Sequence, residues 1–238
     1  MTARVGVFID GQNITIGARY AFDRDEGRAG GNMHPLLLGR LLAGDDELVE
    51  IRYATGIPDA NIDPKRAEAE TRRHDLMRQT DVVVLERTLR YRWEWEIQDR
   101  DLPDARDHRE DVRQARVKSR QRGQEKGIDV WLALDALVMC TRADVDRVII
   151  ASADSDLDIV PQQLKRIEGH KDTEVVSAKV VPKGKSLRTN DAYDATMAID
   201  REIFEAAEDH FDYTKPLDRG EVASFLAKIG SGADGIRD

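Results

Sequence analysis

Short apolar segments rich in β-branched residues alternate along this chain with longer segments in which apolar residues recur at a helical spacing. The apolar segments have the length of buried strands and cover 4–9, 48–55, 81–86, 147–151 and 173–181. The segments that favour helices cover 13–20, 33–42, 63–79, 127–141, 157–168 and 191–209. This alternation predicts an α/β fold with a doubly wound, mainly parallel sheet of about five strands flanked by helices.

One part of the chain breaks this alternation. In 88–98, large apolar residues alternate with charged ones, and this period of two predicts a β-ribbon whose aromatic face includes Trp93 and Trp95. The nearby segment 113–126 carries six basic residues and one acidic residue, Glu125, which leaves a local excess of about five positive charges. The chain therefore combines its alternating part with an aromatic and basic insertion.

These patterns suggest how the chain is organised. We expect one domain over 1–210, interrupted by the insertion at about 88–125. The rest, 211–238, is expected to be a C-terminal extension with a short helix at 222–229. Its glycine-rich end is expected to be flexible.

Composition excludes several classes of function. The 238 residues carry a net charge of -9, which argues against a nonspecific binder of polyanions but leaves room for a local basic patch. The single cysteine, Cys140, lies in an apolar run, so we expect it to be buried. One cysteine excludes both an intrachain disulfide and a cysteine zinc site. The five histidines show no metal-ligand spacing and are expected at the surface.

The chain shows no membrane or secretory signal. No apolar stretch approaches the roughly 20 residues that span a bilayer. The N-terminus enters its first strand without the apolar region of a signal peptide. We therefore expect a cytoplasmic protein with no membrane partner.

Two of the predicted strands end abruptly in acidic residues. The first runs into Asp10, followed by Gly11 and Asn13, and the fourth leads to Asp154. Because the carboxyl ends of parallel strands meet at one crevice of an open α/β sheet, we expect Asp10 and Asp154 to lie close together. Asp129, at the start of a predicted helix, can face the same crevice. Clustered carboxylates ionise less readily unless a cation offsets their repulsion, and hard oxygen ligands suit Mg²⁺ or Mn²⁺.

Ordinary structural roles are open for several of these acids. Asp156 can serve as a helix N-cap and Asp135 as a solvated helix position. Asp154 and Asp158 can combine a cap with a favourable interaction with the helix dipole, worth about 0.3–1 kcal/mol. An EF-hand calcium loop is excluded because Ile159 stands where that loop needs glycine.

Three short motifs follow one another along the chain: FIDGQN at 8–13, KGID at 126–129 and SADSD at 152–156. Together they resemble the NYN domain family, in the LabA-like branch of the PIN-like nucleases, over roughly 4–205. The resemblance implies a PIN-like fold and cleavage of RNA that depends on Mg²⁺ or Mn²⁺. Leu157 departs from the family, which usually has phenylalanine at this place.

The resemblance also implies roles for individual residues. The catalytic residues that it implies are Asp10, Asn13, Asp129, Asp154 and Asp156. The metal ligands that it implies are Asp10, Asp129, Asp154 and, from related branches, Asp158. The implied mechanism is metal-assisted hydrolysis of a phosphodiester, in which Asn13 and Ser152 orient the phosphate or a metal-bound water.

Basic and hydroxyl-bearing residues are the candidate substrate contacts. An acidic crevice repels phosphates, so we expect the basic segment to follow an RNA backbone beside it. The candidates are Lys126, Arg113, Arg116, Lys118, Arg120 and Arg122, together with the hydroxyls of Ser152 and Ser155.

We expect Trp93 and Trp95 to pack the insertion onto the domain. Stacking on unpaired bases, or a homodimer interface that also uses Arg90, are the alternatives.

The sequence therefore predicts a metal-dependent ribonuclease, with endonucleolytic cleavage as the expected mode. A non-cleaving module that binds RNA or a protein partner on the same fold is an alternative. A phosphatase or nucleotidase fits less well, because a basic segment of more than ten residues suits an extended substrate.

Overall fold

The computed structural model describes residues 2–22, 31–97, 117–167 and 172–231. The strands are β1 Arg4–Asp10, β2 Glu47–Ile57, β3 Val82–Thr88, β4 Arg90–Ile97, β5 Val117–Gln124, β6 Arg147–Ala151, β7 Glu174–Val180 and β8 Ala195–Ile199. The helices are α1 Gly11–Phe22, α2 Pro35–Ala43, α3 Pro64–Arg78, α4 Ile128–Cys140, α5 Ile159–Leu164, α6 Arg201–Ala207 and α7 Arg219–Ser231. A 3₁₀ turn at Ser155–Asp158 leads into α5.

Six strands form one sheet in the order β3-β2-β1-β6-β7-β8, and every neighbouring pair runs parallel. The chain winds outward from β1 through β2 and β3 on one side, and from β6 through β7 and β8 on the other. The order therefore reverses between β1 and β6, and such a switch point places a crevice at the carboxyl ends of these two strands. The predicted doubly wound, PIN-like α/β sheet is confirmed, with six strands instead of about five.

Helices cover both faces of the sheet, and each face has its own core. The strands are apolar almost throughout because a parallel sheet is buried on both faces. In β1, Val7 and Ile9 belong to the core packed by α1, α2 and α6, whereas Phe8 between them belongs to the core packed by α4 and α5. Cys140 is buried in the second core, as its apolar surroundings predict.

The helix predicted over 191–209 is wrong in its first half, because β8 occupies Ala195–Ile199 and only α6 is helical. β8 pairs in parallel with β7 at the edge of the sheet, and this tertiary pairing outweighs the local helical pattern. Asp200 then starts α6, because its carboxylate accepts a hydrogen bond from the backbone NH of Ile203.

Two histidines expected at the surface are buried instead. The ring of His34 caps α2, where its Nδ1 accepts a hydrogen bond from the backbone NH of Leu36 at 3.3 Å. His74 on α3 places its Nδ1 2.7 Å from the carboxylate of Glu86. Burial lowers the pKa of both rings, to about 4 for His34. Each ring is therefore a structural group of the core.

The strands β4 and β5 pair with each other in an antiparallel ribbon that is separate from the six-stranded sheet, so the predicted β-ribbon is confirmed. The ribbon meets the domain at its root, where Leu89 lies against Gly56. The expectation that Trp93 packs the insertion onto the domain is wrong, because this side chain stands on the free part of the ribbon and is 63% exposed. The side chain of Trp95 and residues 98–116 lie outside the described part of the chain.

The described part of the C-terminal extension packs against the domain. Phe225 on α7 meets the ring of His34 edge-on at 5.8 Å between centroids, and Arg40 donates a hydrogen bond to the carbonyl of Ile229 at 2.8 Å. The helix predicted over 222–229 is confirmed within the longer α7. Across the ranges that the structure describes, every helix is too short or too polar to cross a membrane.

Candidate active site

The carboxylate of Asp10 is held at the carboxyl end of β1. The side chain is 4% exposed and accepts a hydrogen bond from the backbone NH of Asn13 at 3.0 Å and another from the hydroxyl of Ser152 at 3.0 Å. The turn after Asp10 requires Gly11, because a β-carbon there would lie 2.4 Å from Cζ of Tyr53. Asp10 is therefore oriented by groups from both sides of the switch point.

The segment after β6 is tied to the same place. Oγ of Ser152 accepts a hydrogen bond from the backbone NH of Asp154 at 3.0 Å, and Oδ1 of Asn13 accepts one from the NH of Ala153 at 2.8 Å. Asp154 caps the 3₁₀ turn by accepting a hydrogen bond from the NH of Asp156 at 2.9 Å, so the cap is Asp154 and not Asp156. The two acidic strand ends therefore meet as expected, and Ser152 and Asn13 join them.

Asp129 forms a third wall of the crevice from the first turn of α4. Gly127 leads into this helix with a φ of +76°, a left-handed conformation that favours glycine. Burial raises the pKa of Asp129, and the charges of Asp154 and Asp156 raise it further. The acid on α4 therefore interacts electrostatically with the acids that follow β6.

Glu125 is a member of this acidic group that the sequence patterns did not identify. It lies between β5 and α4, at the root of the ribbon, and its carboxylate accepts a short hydrogen bond from the backbone NH of Gly56 at the end of β2. Burial raises the pKa of Glu125 to about 7, and the charges of Asp10 and Asp129 contribute. The one available signal was an acid directly before the KGID motif, alone among six bases.

Burial and neighbouring charges also change the pKa of Asp10. Burial raises its pKa to about 6, against the hydrogen bonds from Asn13 and Ser152, and the charges of Asp129 and Asp154 raise it further. Carboxylates that disfavour one another's ionisation become more stable when a cation or a proton joins them. The crevice is therefore a place where positive charge is favoured at neutral pH.

The donor set fits a hard divalent cation, although the structure does not present a complete cage. Within the described ranges, no group of three or more His, Cys, Asp or Glu side chains is arranged to hold a metal ion by itself. Mg²⁺ keeps several waters and is usually bound through one or two protein carboxylates together with substrate phosphates. The oxygens of Asp10, Asp129 and Asp154 are the ones that could provide the protein's share of such a site.

Two further predicted site residues, Asp158 and Ser155, lie at the edge of the crevice, and Asp135 was expected outside it. Asp158 lies near the buried hydroxyl of Tyr193, whose pKa is raised by burial and by the charge of Asp158. Ser155 is exposed at the start of the 3₁₀ turn. Asp135 is outside the crevice and is ion-paired with Arg52 at 2.6 Å, so it is not the solvated position that its sequence suggested.

The predicted basic contacts are only partly described. Arg122 and Lys126 are exposed, and Arg122 lies 3.5 Å from Glu94. Arg87, which the sequence patterns did not identify, donates a hydrogen bond to the carbonyl of Lys126 at 3.2 Å and lies over the ring of Trp131. The backbone alone is described for Lys118 and Arg120, and Arg113 and Arg116 lie outside the described residues.

Comparison with known proteins identifies the family to which the chain is similar. The family model described as the NYN domain matches residues 4–200. No curated protein matches the chain significantly. A crystal structure of a protein of unknown function from Vibrio parahaemolyticus RIMD 2210633 is similar, with 21% sequence identity and a TM-score of 0.49, over 84% of this chain and 95% of that one.

Proposed function

Since the chain belongs to the NYN domain family, we propose that it is a metal-dependent ribonuclease that hydrolyses phosphodiester bonds at the crevice between β1 and β6. The observation that carries the proposal is the group of acids around this switch point, namely Asp10, Glu125, Asp129 and Asp154. Burial and mutual charge raise the pKa values of Asp10, Glu125 and Asp129. Acids in such surroundings are suited to binding a cation and to moving a proton.

Asp10, Asp129 and Asp154 are the side chains that would hold Mg²⁺ or Mn²⁺. The ion would supply a bound water of lowered pKa and stabilise negative charge on the phosphoryl oxygens. Asn13 and Ser152 use their side-chain oxygens to join the two strand ends, so we assign them the positioning of Asp10 and Asp154. In this proposal they act on the phosphate through those acids.

Three further acids have different parts in the proposal. Glu125 has a pKa of about 7, so near neutral pH it can accept a proton from the attacking water or return one to the leaving oxygen. Asp156 stays in the catalytic set because it is exposed beside the crevice and its charge reaches Asp129. Asp158 fits a metal ligand less well than the others because its charge acts on the hydroxyl of Tyr193.

RNA is the proposed substrate, and the ribbon side of the crevice would contact its backbone. A protein of net charge -9 needs local positive charge to bind a polyanion, and the exposed Arg122 and Lys126 supply it at the ribbon root. Lys118, Arg120, Arg113 and Arg116 remain candidates for the same role. The exposed Trp93 offers a ring on which an unpaired base can stack, at about 1–3 kcal/mol.

A second candidate function is a module that binds RNA without cutting it. The observation that favours it is the incomplete metal site, since the described residues hold no ready-made cage of three ligands. In that case the raised pKa values of the crevice acids would have no part in catalysis. Cleavage and binding therefore have to be measured separately.

The test is cleavage of labelled single-stranded RNA by the purified protein in Mn²⁺, beside the same reaction in EDTA and beside the Asp10→Asn variant. The proposal expects cleavage by the wild type in Mn²⁺ and loss of cleavage in both other reactions. Equal cleavage by wild type and Asp10→Asn would remove the site assignment. Binding of RNA without cleavage by the wild type would favour the second candidate.

A further inference from the structure

The crossover between β7 and β8, residues 181–194, carries a group of cations that the crevice residues above do not include. Lys183, Lys185 and Arg188 are all exposed. None of the three forms an ion pair with any residue in the described ranges, whereas arginines elsewhere, such as Arg52 and Arg142, are ion-paired at 2.6–2.7 Å. In a chain with a net charge of -9, the segment 183–188 holds these three cations and no acid, so it carries a local charge of +3.

The first half of this crossover starts beside the acids. β7 runs parallel to β6 and continues beyond Ala178, the last residue paired with β6, to Val180. The backbone NH of Ser152 donates a hydrogen bond to the carbonyl of Ala178 at 3.1 Å. The crossover therefore leaves the sheet at the carboxyl edge, next to the segment that carries Asp154.

Two local features hold the cations at this edge. The NH of Lys185 donates a hydrogen bond to the carbonyl of Pro182 at 3.0 Å, and Gly184 between them has a φ of +76°. This turn presents Lys183 and Lys185 together at its tip. Further on, Tyr193 is buried with its hydroxyl near Asp158, so the returning half of the crossover lies against the 3₁₀ turn.

The patch lies on the opposite side of the crevice from the ribbon. Glu125 at the ribbon root bonds to the end of β2, and the sheet order places β1 and β6 between β2 and β7. The ends of β2 and β7 are therefore separated by three strand spacings, or about 14 Å. A chain with several phosphates bridges this span, with the acids beneath its middle, whereas a single phosphate does not.

We propose that Lys183, Lys185 and Arg188 bind the phosphate backbone of single-stranded RNA on the β7 side of the cleavage site. This inference rests on the proposed function of the crevice. Exposed lysines act on phosphates as point charges, so their contribution is independent of sequence and sensitive to salt. They hold the strand across the crevice, and their loss raises KM more than it lowers kcat.

The experiment measures how the binding constant of the wild type for labelled oligouridine depends on salt, in EDTA so that no cleavage occurs. For single strands, log K falls with log salt by about 0.7 for each phosphate contact. The variant Lys183→Gln/Lys185→Gln should therefore lose about 1.4 of this slope, and adding Arg188→Gln a further 0.7 or so. The matched control Arg166→Gln/Arg219→Gln removes two exposed charges, at the end of α5 and at the start of α7, and should leave the slope unchanged.

The outcomes separate this inference from the function on which it rests. Slopes that are equal in the test and control variants, with RNA still cleaved in Mn²⁺, would overturn the phosphate patch and leave the nuclease standing. A wild type that neither binds nor cleaves RNA would overturn both. All four substituted lysines and arginines of the double variants are on the surface, so unchanged unfolding midpoints are expected, and they exclude misfolding as the cause.

Discussion

The hydroxyl of Ser152 donates a hydrogen bond to the carboxylate of Asp10 over 3.0 Å, although 142 residues separate the two along the chain. The same oxygen accepts a hydrogen bond from the backbone NH of Asp154. One buried hydroxyl therefore joins the acid at the end of β1 to the acid that follows β6. The relative position of two proposed metal ligands depends on this side chain.

Replacement of Ser152 by alanine is expected to leave one oxygen of Asp10 buried without its donor. The lost bond raises the pKa of Asp10 further and lowers the free energy of unfolding by about 1–3 kcal/mol. If the crevice is a nuclease site, the acidic limb of its pH–rate profile moves to higher pH. Cleavage of single-stranded RNA between about pH 5 and 9 measures this.

The control for this variant is Ser177→Ala, which removes another buried hydroxyl from β7. It tests whether loss of a core hydroxyl alone alters the profile. We expect no movement of its acidic limb. If the acidic limb of the pH–rate profile does not move in Ser152→Ala either, the hydroxyl does not control the ionisation of Asp10.

Asp10 is expected to make the metal-free fold less stable as the pH rises. Its pKa is raised from 3.8 to about 6 on folding, so the folded state holds the proton more tightly. The resulting stability is fully present below about pH 4 and is lost as the pH rises through about 6. This shift in pKa corresponds to about 3 kcal/mol of unfolding free energy. The raised pKa of Glu125 changes the stability with pH in the same direction.

The variant Asp10→Asn removes this ionisation while it keeps the shape of the side chain. In EDTA it should be more stable than the wild type at about pH 8 and lose that advantage towards about pH 4. Urea unfolding at both pH values measures the difference. Asp200→Asn, at the cap of α6, is the control. A difference in stability between Asp10→Asn and the wild type that does not change with pH would contradict the burial of an ionised Asp10.

The close approach of Gly11 to Tyr53 predicts a large effect from one methyl group. A β-carbon at Gly11 would lie within 2.4 Å of the Tyr53 ring, so Gly11→Ala forces the ring or the turn to move and should cost about 1–3 kcal/mol of unfolding free energy. Gly230→Ala on α7 meets no atom within 4 Å and should be neutral or stabilising by up to about 1 kcal/mol. Similar unfolding free energies for the two variants would refute the tight turn.

Asp10 and Asp154 could be placed together from the sequence because the signals for their positions are local. Each follows a short apolar strand, and a parallel sheet brings the carboxyl ends of such strands to one edge. The same reasoning predicted the β-ribbon from its period of two. These features depend on residues that are neighbours in the chain.

The features that the sequence did not predict depend on distant contacts. Glu125 appeared as one acid among six bases, and its burial comes from contact with Gly56, 69 residues away. β8 carries a short Ala- and Met-containing segment that also suits a helix, and pairing with β7 decides its conformation. Trp93 is a large aromatic residue of the kind often found in a core, but it stands on a ribbon that is separate from the six-stranded sheet.

The most direct test of the proposed crevice compares two aspartates on one helix. Asp129 is in the first turn of α4 and faces the acids, whereas Asp135, six residues on, is ion-paired with Arg52 outside the crevice. The measurement is the rate of cleavage of labelled single-stranded RNA in Mn²⁺ by Asp129→Asn and Asp135→Asn. We expect the cleavage rate of Asp129→Asn to fall more than about 100-fold below that of the wild type, and the rate of Asp135→Asn to stay near the wild-type rate. Equal rates for the two variants would contradict the crevice as the site of hydrolysis.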